Sequence, residues 1–213
     1  MSHLLPVAEV AAAYIELRTR IVAILRDLPE SAGDVLVPHC PAWSVRELSS
    51  HLLGVPDDIV NGRMDGVTTD AWTQAQVERH RGKSLREIAD HLEGISAQFD
   101  PMLPHFPAMA LSQMTMDAVT HEHDLRHAVS RPGARDSRAV VAGVAWLRQW
   151  VSRRDVPTGE SLFSCGISDF EMIRSLTGRR SMVQVEKLGL SSDVVASVLA
   201  ESPFRVPTQS IEE

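Results

Sequence analysis

The chain of 213 residues lacks any run of basic residues, and its formal net charge at pH 7 is −7. Nucleic acids and anionic membrane surfaces are bound through clustered Lys and Arg side chains. Its longest strongly apolar stretch is also too short to cross a bilayer. The composition therefore argues against a nucleic acid or a membrane as a partner.

Cysteine is scarce as well. Cys40 and Cys165 are far apart and form no C-x-x-C pattern, which excludes a disulfide framework and is typical of a reducing compartment. The segment from Met1 to Leu5 is followed closely by Pro6 and Glu9, unlike a secretory signal. We expect a soluble, cytoplasmic protein.

What the sequence does contain is a helical pattern. Apolar residues recur at three- and four-residue spacing, and no strand run stands out. Capping boxes are predicted at three Ser–Glu pairs, which are Ser44 with Glu47, Ser84 with Glu87, and Ser168 with Glu171. Helices are predicted at about 7–28, from 44 onward, and at 70–80, 85–99, 111–130, 137–153 and 192–201.

Four of these helices are long, and most of the connections between them are short to medium in length. This pattern predicts an all-α protein whose main domain, residues 1–153, is a four-helix bundle. Residues 154–213 are predicted to form a short helical extension packed on that bundle.

Three side chains on two helices are candidate metal ligands. Asp117 and His121 are one turn apart on one predicted helix, and His51 lies beside the apolar stripe of another. A carboxylate and an imidazole at positions i and i+4 can share one ion, and a histidine from a facing helix completes three ligands. Three protein ligands with one open position are typical of catalytic zinc.

The spacing also fits a structural interpretation. His51 and His121 would then be core histidines with backbone or carboxylate partners, and Asp117 with His121 a simple intrahelical pair. Asp124, one turn beyond His121, is either a fourth ligand or an acceptor that orients the imidazole.

A second pair, His123 and His127, has the same i, i+4 spacing. Glu122 and Arg126 on that face predict that it is solvated rather than part of a site. Cys40 and Trp43 precede the helix that carries His51, and we interpret both as packing residues.

Four segments resemble, in the same order, the motifs of one family. They are Cys40-Pro-Ala-Trp-Ser-Val-Arg-Glu-Leu-Ser-Ser-His51-Leu, Trp72-Thr-Gln-Ala-Gln-Val-Glu-Arg79, Asp117-Ala-Val-Thr-His121-Glu-His-Asp-Leu-Arg-His-Ala128 and Phe170-Glu-Met-Ile-Arg-Ser-Leu-Thr-Gly-Arg-Arg-Ser181. The family motifs are C-P-G-W-[ST]-V-x-[DE]-L-x-x-H-L, W-x-x-x-Q-V-x-x-R, E-x-x-x-H-x-W-D-L-x-x-A and F-E-x-x-R-x-x-x-G-R-R-S. They belong to the DinB-like, mycothiol-dependent maleylpyruvate isomerases.

The resemblance implies a DinB-like bundle that holds a divalent metal, usually zinc, through His51, Asp117 and His121. It also implies mycothiol as the thiol cosubstrate. The chain departs from the family pattern in three ways. Asp117 stands where the family has glutamate, His123 stands where it has tryptophan, and the C-terminal part is shorter than in full maleylpyruvate isomerases.

A sugar-based thiol needs hydrogen-bonding groups around its pocket, and Asn61, Gln76 and Arg79 are the candidates. Arg79 is also the predicted catalytic residue, stabilising negative charge on an electrophile. The alternative for Arg79 is a solvated helix arginine.

Arg179 and Arg180 are predicted to bind a carboxylate of the substrate. Alternatively, they cap the helix that ends at Gly178.

We therefore expect a metal-dependent enzyme that activates mycothiol for addition or transfer to an electrophilic small molecule, as an S-transferase or isomerase. The chief alternative is a non-catalytic helical protein that binds metal or thiol in a regulatory or interaction role. A metal-dependent hydrolase is a third possibility. The sequence is compatible with a monomer or a homodimer.

Overall fold

The computed structural model describes residues 2–154, 156 and 159–213, and most of them are helical. The α-helices are α1 (Val7–Asp27), α2 (Val45–Val60), α3 (Asp70–His80), α4 (Leu85–Gly94), α5 (Ser96–Phe99), α6 (Ala108–Ala128), α7 (Arg138–Val151), α8 (Asp169–Leu176), α9 (Met182–Lys187) and α10 (Ser192–Ala200). Short 3-10 helices cover Glu30–Asp34, Asp100–His105 and Gly159–Ser164. The predicted all-α class is confirmed, whereas the four-helix bundle stays a prediction. Within the described part of the chain, no helix combines the length and the apolar character that a membrane span needs.

The chain divides into two compact units. The first comprises Met1–Ala13, Pro107–Thr120 and Ala134–Glu213, and the second comprises Tyr14–Phe106 and His121–Gly133. Helices α1 and α6 contribute residues to both. The domain limits predicted from the sequence, 1–153 and 154–213, stay a prediction.

In the second unit, α2 begins where the sequence predicts it. The Ser44 hydroxyl accepts a hydrogen bond from the Glu47 N–H, and the Glu47 carboxylate accepts one from the Ser44 N–H. This reciprocal cap satisfies two amides that the first helical turn leaves without partners. The buried face of α2, which includes Leu48 and Leu53, packs against α3 and α4.

A small hairpin, which the sequence pattern does not indicate, precedes α2. Strand β1 (Leu36–Val37) pairs antiparallel with β2 (Cys40–Ser44). The strands are too short to produce a recognisable alternation of apolar and polar residues, so the sequence pattern could not reveal them. Because β2 runs directly into α2, the hairpin places Cys40 and Trp43 next to the first turns of that helix.

Helices α2 and α3 approach closely because Gly54 has no side chain. A Cβ at position 54 would lie 2.4 Å from the Cβ of Gln76, far inside van der Waals contact. Gln76 is fully buried on α3, and Gly54 lies one turn after His51 on α2. The close approach therefore brings the Gln76 amide within reach of the His51 ring.

In the first unit, α7 packs against α8. Ser168 accepts a hydrogen bond from the Glu171 N–H, as predicted, but the Glu171 carboxylate pairs with Arg180. A capping box that the sequence analysis missed opens α9, where Ser181 and Gln184 cap each other.

Candidate metal centre

His51 on α2 and His121 on α6 are both buried, with 4% and 8% of their surfaces exposed. Their ring centroids are 5.2 Å apart, and the rings meet edge to face at 86°. Asp117 lies one turn before His121 on α6, and one ligand atom from each of His51, Asp117 and His121 lies within 4.8 Å of the other two. The three residues predicted as metal ligands therefore come together as one group.

The orientation of the His51 ring is fixed by Gln76. The His51 Nδ1 atom lies 2.8 Å from Gln76 Oε1, and Gln76 Nε2 donates to Asp58 Oδ2 at 3.0 Å. An ionised carboxylate only accepts hydrogen bonds, so it turns the amide nitrogen of Gln76 toward itself and the amide oxygen toward His51. His51 accordingly carries its proton on Nδ1, and Nε2 is the nitrogen that can bind a metal.

Asp58 is itself held by two arginines. Its Oδ1 accepts hydrogen bonds of 2.6 Å from Arg63 Nε and of 2.6 Å from Arg79 Nη1. Asp58 is fully buried, and these cations offset the cost of desolvating its charge. Arg79, the predicted catalytic residue, thus supports the Asp58–Gln76–His51 chain; its predicted contact with an electrophile stays a prediction.

Sequence reasoning overlooked Asp58 and Arg63, although one signal was present. Asp58 follows His51 by seven residues, which is two helical turns, so both side chains lie on the same face of α2. A carboxylate on the buried face of a histidine-bearing helix indicates a group that orients the histidine.

His121 is oriented in an equivalent way by Asp124. Its Nδ1 lies 3.1 Å from Asp124 Oδ2, and the Asp124 side chain is fully buried. Of the two roles predicted for Asp124, the structure supports that of an acceptor for the imidazole. His121 then also presents Nε2 as its metal-binding nitrogen.

Trp43 and Cys40, predicted as packing residues, both lie beside the candidate centre. The Trp43 ring lies 5.4 Å from the His51 ring and 5.8 Å from the His121 ring, measured between centroids. The Cys40 thiol donates to Asp124 Oδ2 at 3.4 Å. Both residues belong to β2, and the unpredicted hairpin explains why the sequence pattern did not place them at the site.

The prediction that the face bearing Glu122 and His123 is solvated is wrong. Glu122 is fully buried and His123 is 3% exposed. The Glu122 carboxylate accepts hydrogen bonds from Arg20 Nε and from Arg126 Nε, at 2.8 and 3.0 Å. The two guanidinium groups offset the cost of removing the Glu122 carboxylate from water. The contact with Arg20 could not be predicted, because Arg20 is far from Glu122 in the sequence.

The remaining predicted binding residues have local partners. The exposed Asn61 ends α2, and its Nδ2 donates to the Asp57 carbonyl oxygen at 2.8 Å. Arg179 Nη1 donates to the Thr177 carbonyl at 2.6 Å, where α8 ends, in agreement with the helix-capping alternative. Arg180 pairs with the carboxylates of Glu171 and Glu213. Binding of the thiol cofactor by Asn61, and of a substrate carboxylate by Arg179 and Arg180, stays a prediction.

The donor set fits a divalent transition metal. Two imidazole nitrogens and one carboxylate oxygen are ligands that Zn²⁺ accepts, with a position left for water or substrate. The same set also suits neighbouring divalent ions such as Co²⁺ and Ni²⁺. In each histidine, Nδ1 donates a hydrogen bond to an oxygen atom, which is the usual arrangement for metal-bound imidazoles.

No protein-family model, curated protein or solved structure matches this chain. The likeness to the DinB-like isomerases is therefore carried by the four sequence motifs alone. The grouping of His51, Asp117 and His121 is a separate, geometric observation.

Proposed function

We propose that this protein is a metal-dependent enzyme that activates a low-molecular-weight thiol, mycothiol, for addition or transfer to an electrophilic small molecule. The observation that carries the proposal is the grouping of the half-buried Asp117 with the buried His51 and His121, whose imidazoles are both oriented by acceptors on Nδ1. Buried histidines in such an arrangement are expensive to maintain without a function.

The charge of the ligand set supports a thiol as the substrate. Two neutral imidazoles and the Asp117 carboxylate offset only one of the two positive charges of a divalent ion, so an anionic fourth ligand is favoured. A divalent ion bound there supplies the positive charge that stabilises a thiolate over a thiol at neutral pH.

The residues of the chain have distinct roles in this proposal. Gln76 and Asp124 keep the proton of each imidazole on Nδ1, and Trp43 packs against the two rings. Asp117 is one methylene shorter than the glutamate of the resembling family, yet its carboxylate still lies within the 4.8 Å group.

The test is a turnover assay with zinc-loaded protein and a fluorogenic alkylating electrophile, or maleylpyruvate, as probe. Reactions contain mycothiol, glutathione or no thiol. We expect turnover that needs both zinc and mycothiol, that is lost in His121→Ala, and that persists in His105→Ala, a control on an exposed histidine.

Two results would contradict the proposal. Zinc-dependent turnover that is equally fast without thiol would assign the site to a hydrolase. Zinc binding without turnover of any electrophile would favour a non-catalytic metal- or thiol-binding protein.

A further inference from the structure

A second group of potential ligands shares His121 with the centre described above. Ligand atoms of Cys40, His121 and Asp124 all lie within 4.8 Å of one another. Two hydrogen bonds converge on the same oxygen of this group. Asp124 Oδ2 lies 3.4 Å from Cys40 Sγ and 3.1 Å from His121 Nδ1.

These separations are close to the distances between neighbouring ligand atoms around a bound metal ion. Bonds of roughly 2.0–2.3 Å from a tetrahedral zinc ion to N, O and S donors place neighbouring ligand atoms about 3.3–3.7 Å apart. An ion that replaced the two shared protons would therefore need only small side-chain movements.

The three donors are also held by firm local structure. Cys40 is fixed by the pairing of β2 with β1, in which it lies opposite Val37. Asp124 follows His121 by three residues on α6, so both side chains leave the same face of the helix. Cys40 is partly exposed, which gives an ion a route to the thiol.

We propose that Cys40, Asp124 and the Nδ1 side of His121 form a second metal position that prefers a thiophilic divalent cation such as Zn²⁺, Cd²⁺ or Co²⁺. One thiolate and one carboxylate neutralise both charges of the ion, which suits a position beside the fully buried Asp124. The ion–sulfur bond forms as the S–H bond breaks, and that proton leaves to solvent.

Occupation of the second position has a consequence for the first. An ion at His121 Nδ1 requires the imidazole proton to move to Nε2, the nitrogen that the three-residue centre needs. The two positions are therefore alternatives on opposite sides of one ring. A thiophilic ion held by Cys40 withdraws His121 from the centre formed with His51 and Asp117.

The test is cobalt absorption spectroscopy on the full chain, which detects thiolate ligation through a sulfur-to-cobalt charge-transfer band. We expect the band in the wild type and in Cys165→Ser, and its loss in Cys40→Ser. Cys165 is the matched control because it is exposed and donates to the Leu162 carbonyl. The band should persist in His51→Ala, which damages the first centre only.

Three results would overturn the proposal. They are the absence of the band in the wild type, its persistence in Cys40→Ser, and its loss in His51→Ala, which would make Cys40 a ligand of the first centre. Since the band does not depend on turnover, it is independent of whether the proposed thiol chemistry occurs.

A second measurement uses the wild-type protein, so its result does not depend on whether the Cys40→Ser variant folds. Cd²⁺ should slow alkylation of Cys40 by iodoacetamide by about tenfold or more, because a metal-bound sulfur is a poor nucleophile. Alkylation of Cys165 in the same samples should not change. Equal rates for Cys40 with and without Cd²⁺ would contradict the second position.

Discussion

In each histidine of the candidate centre, a single neighbouring side chain determines which ring nitrogen is available to bind a metal. Gln76 accepts from His51 Nδ1, and Asp124 accepts from His121 Nδ1. The two acceptors differ in charge and in origin, since Gln76 comes from α3 and Asp124 from the same helix as its histidine. Both produce the same result, an imidazole that presents Nε2.

Replacement of Gln76 by leucine tests this role. Gln76→Leu removes the acceptor for His51 Nδ1, and we expect zinc affinity to fall by roughly 10–100-fold, as for other partners of metal-bound histidines. Competition with a chromophoric chelator measures the affinity. The matched control is Gln74→Leu, which changes an exposed glutamine on the same helix. Equal affinities in the two variants would contradict the orienting role of Gln76.

At the scale of secondary-structure elements, the contact between α2 and α3 aligns His51 with Gln76. Gly54→Ala introduces a Cβ 2.4 Å from the Gln76 Cβ, so the two helices must separate or Gln76 must move. We expect a loss of about 1–3 kcal/mol in the free energy of unfolding, together with weaker zinc binding. Urea denaturation and the chelator assay measure the two effects.

Gly94→Ala is the control for that experiment. A Cβ at Gly94, the last residue of α4, meets no atom within 4 Å and needs no unusual backbone angle. Alanine there should leave stability unchanged or slightly improved, because it restricts the unfolded chain. Equal stability of the two alanine variants would contradict the packing argument.

Local signals predicted some elements well and others not at all. The caps of α2 and α4 depend on residues three apart, and so the sequence shows them directly. The His51–Gln76 and Arg20–Glu122 contacts join residues far apart in the chain, and no periodicity reveals them. The three candidate ligands were identifiable because helical spacing pairs Asp117 with His121. Their orienting partners were not, apart from Asp124.

At the scale of the whole molecule, the buried His80 should make the free energy of unfolding depend on pH. Burial lowers the pKa of His80 below its usual 6.5; Asp57 opposes this shift, whereas His91, Lys83 and Arg79 reinforce it. His80 therefore becomes protonated near pH 6.5 in the unfolded chain, whereas in the folded chain it is protonated only at a lower pH. The free energy of unfolding should decrease as the pH falls from about 6.5 toward the lowered pKa.

Urea denaturation at pH 7.5 and pH 5.5 measures this effect. His80→Phe removes the titrating group and keeps an aromatic ring against His91, so it should lose less stability between the two pH values than the wild type does. His105→Gln, on an exposed histidine, should behave like the wild type. A wild-type pH dependence that His80→Phe retains in full would contradict the assignment.

The most direct test of the central claim is the zinc content of the desalted protein, measured by elemental analysis. Cys40→Ser provides the background, since it removes the thiolate donor of the second position. We predict one zinc ion per chain in Cys40→Ser, and its loss when His51→Ala, Asp117→Ala or His121→Ala is added. His105→Ala should leave the zinc content unchanged. A zinc-free Cys40→Ser protein after loading, or zinc retained in all three ligand variants, would contradict a metal centre formed by His51, Asp117 and His121.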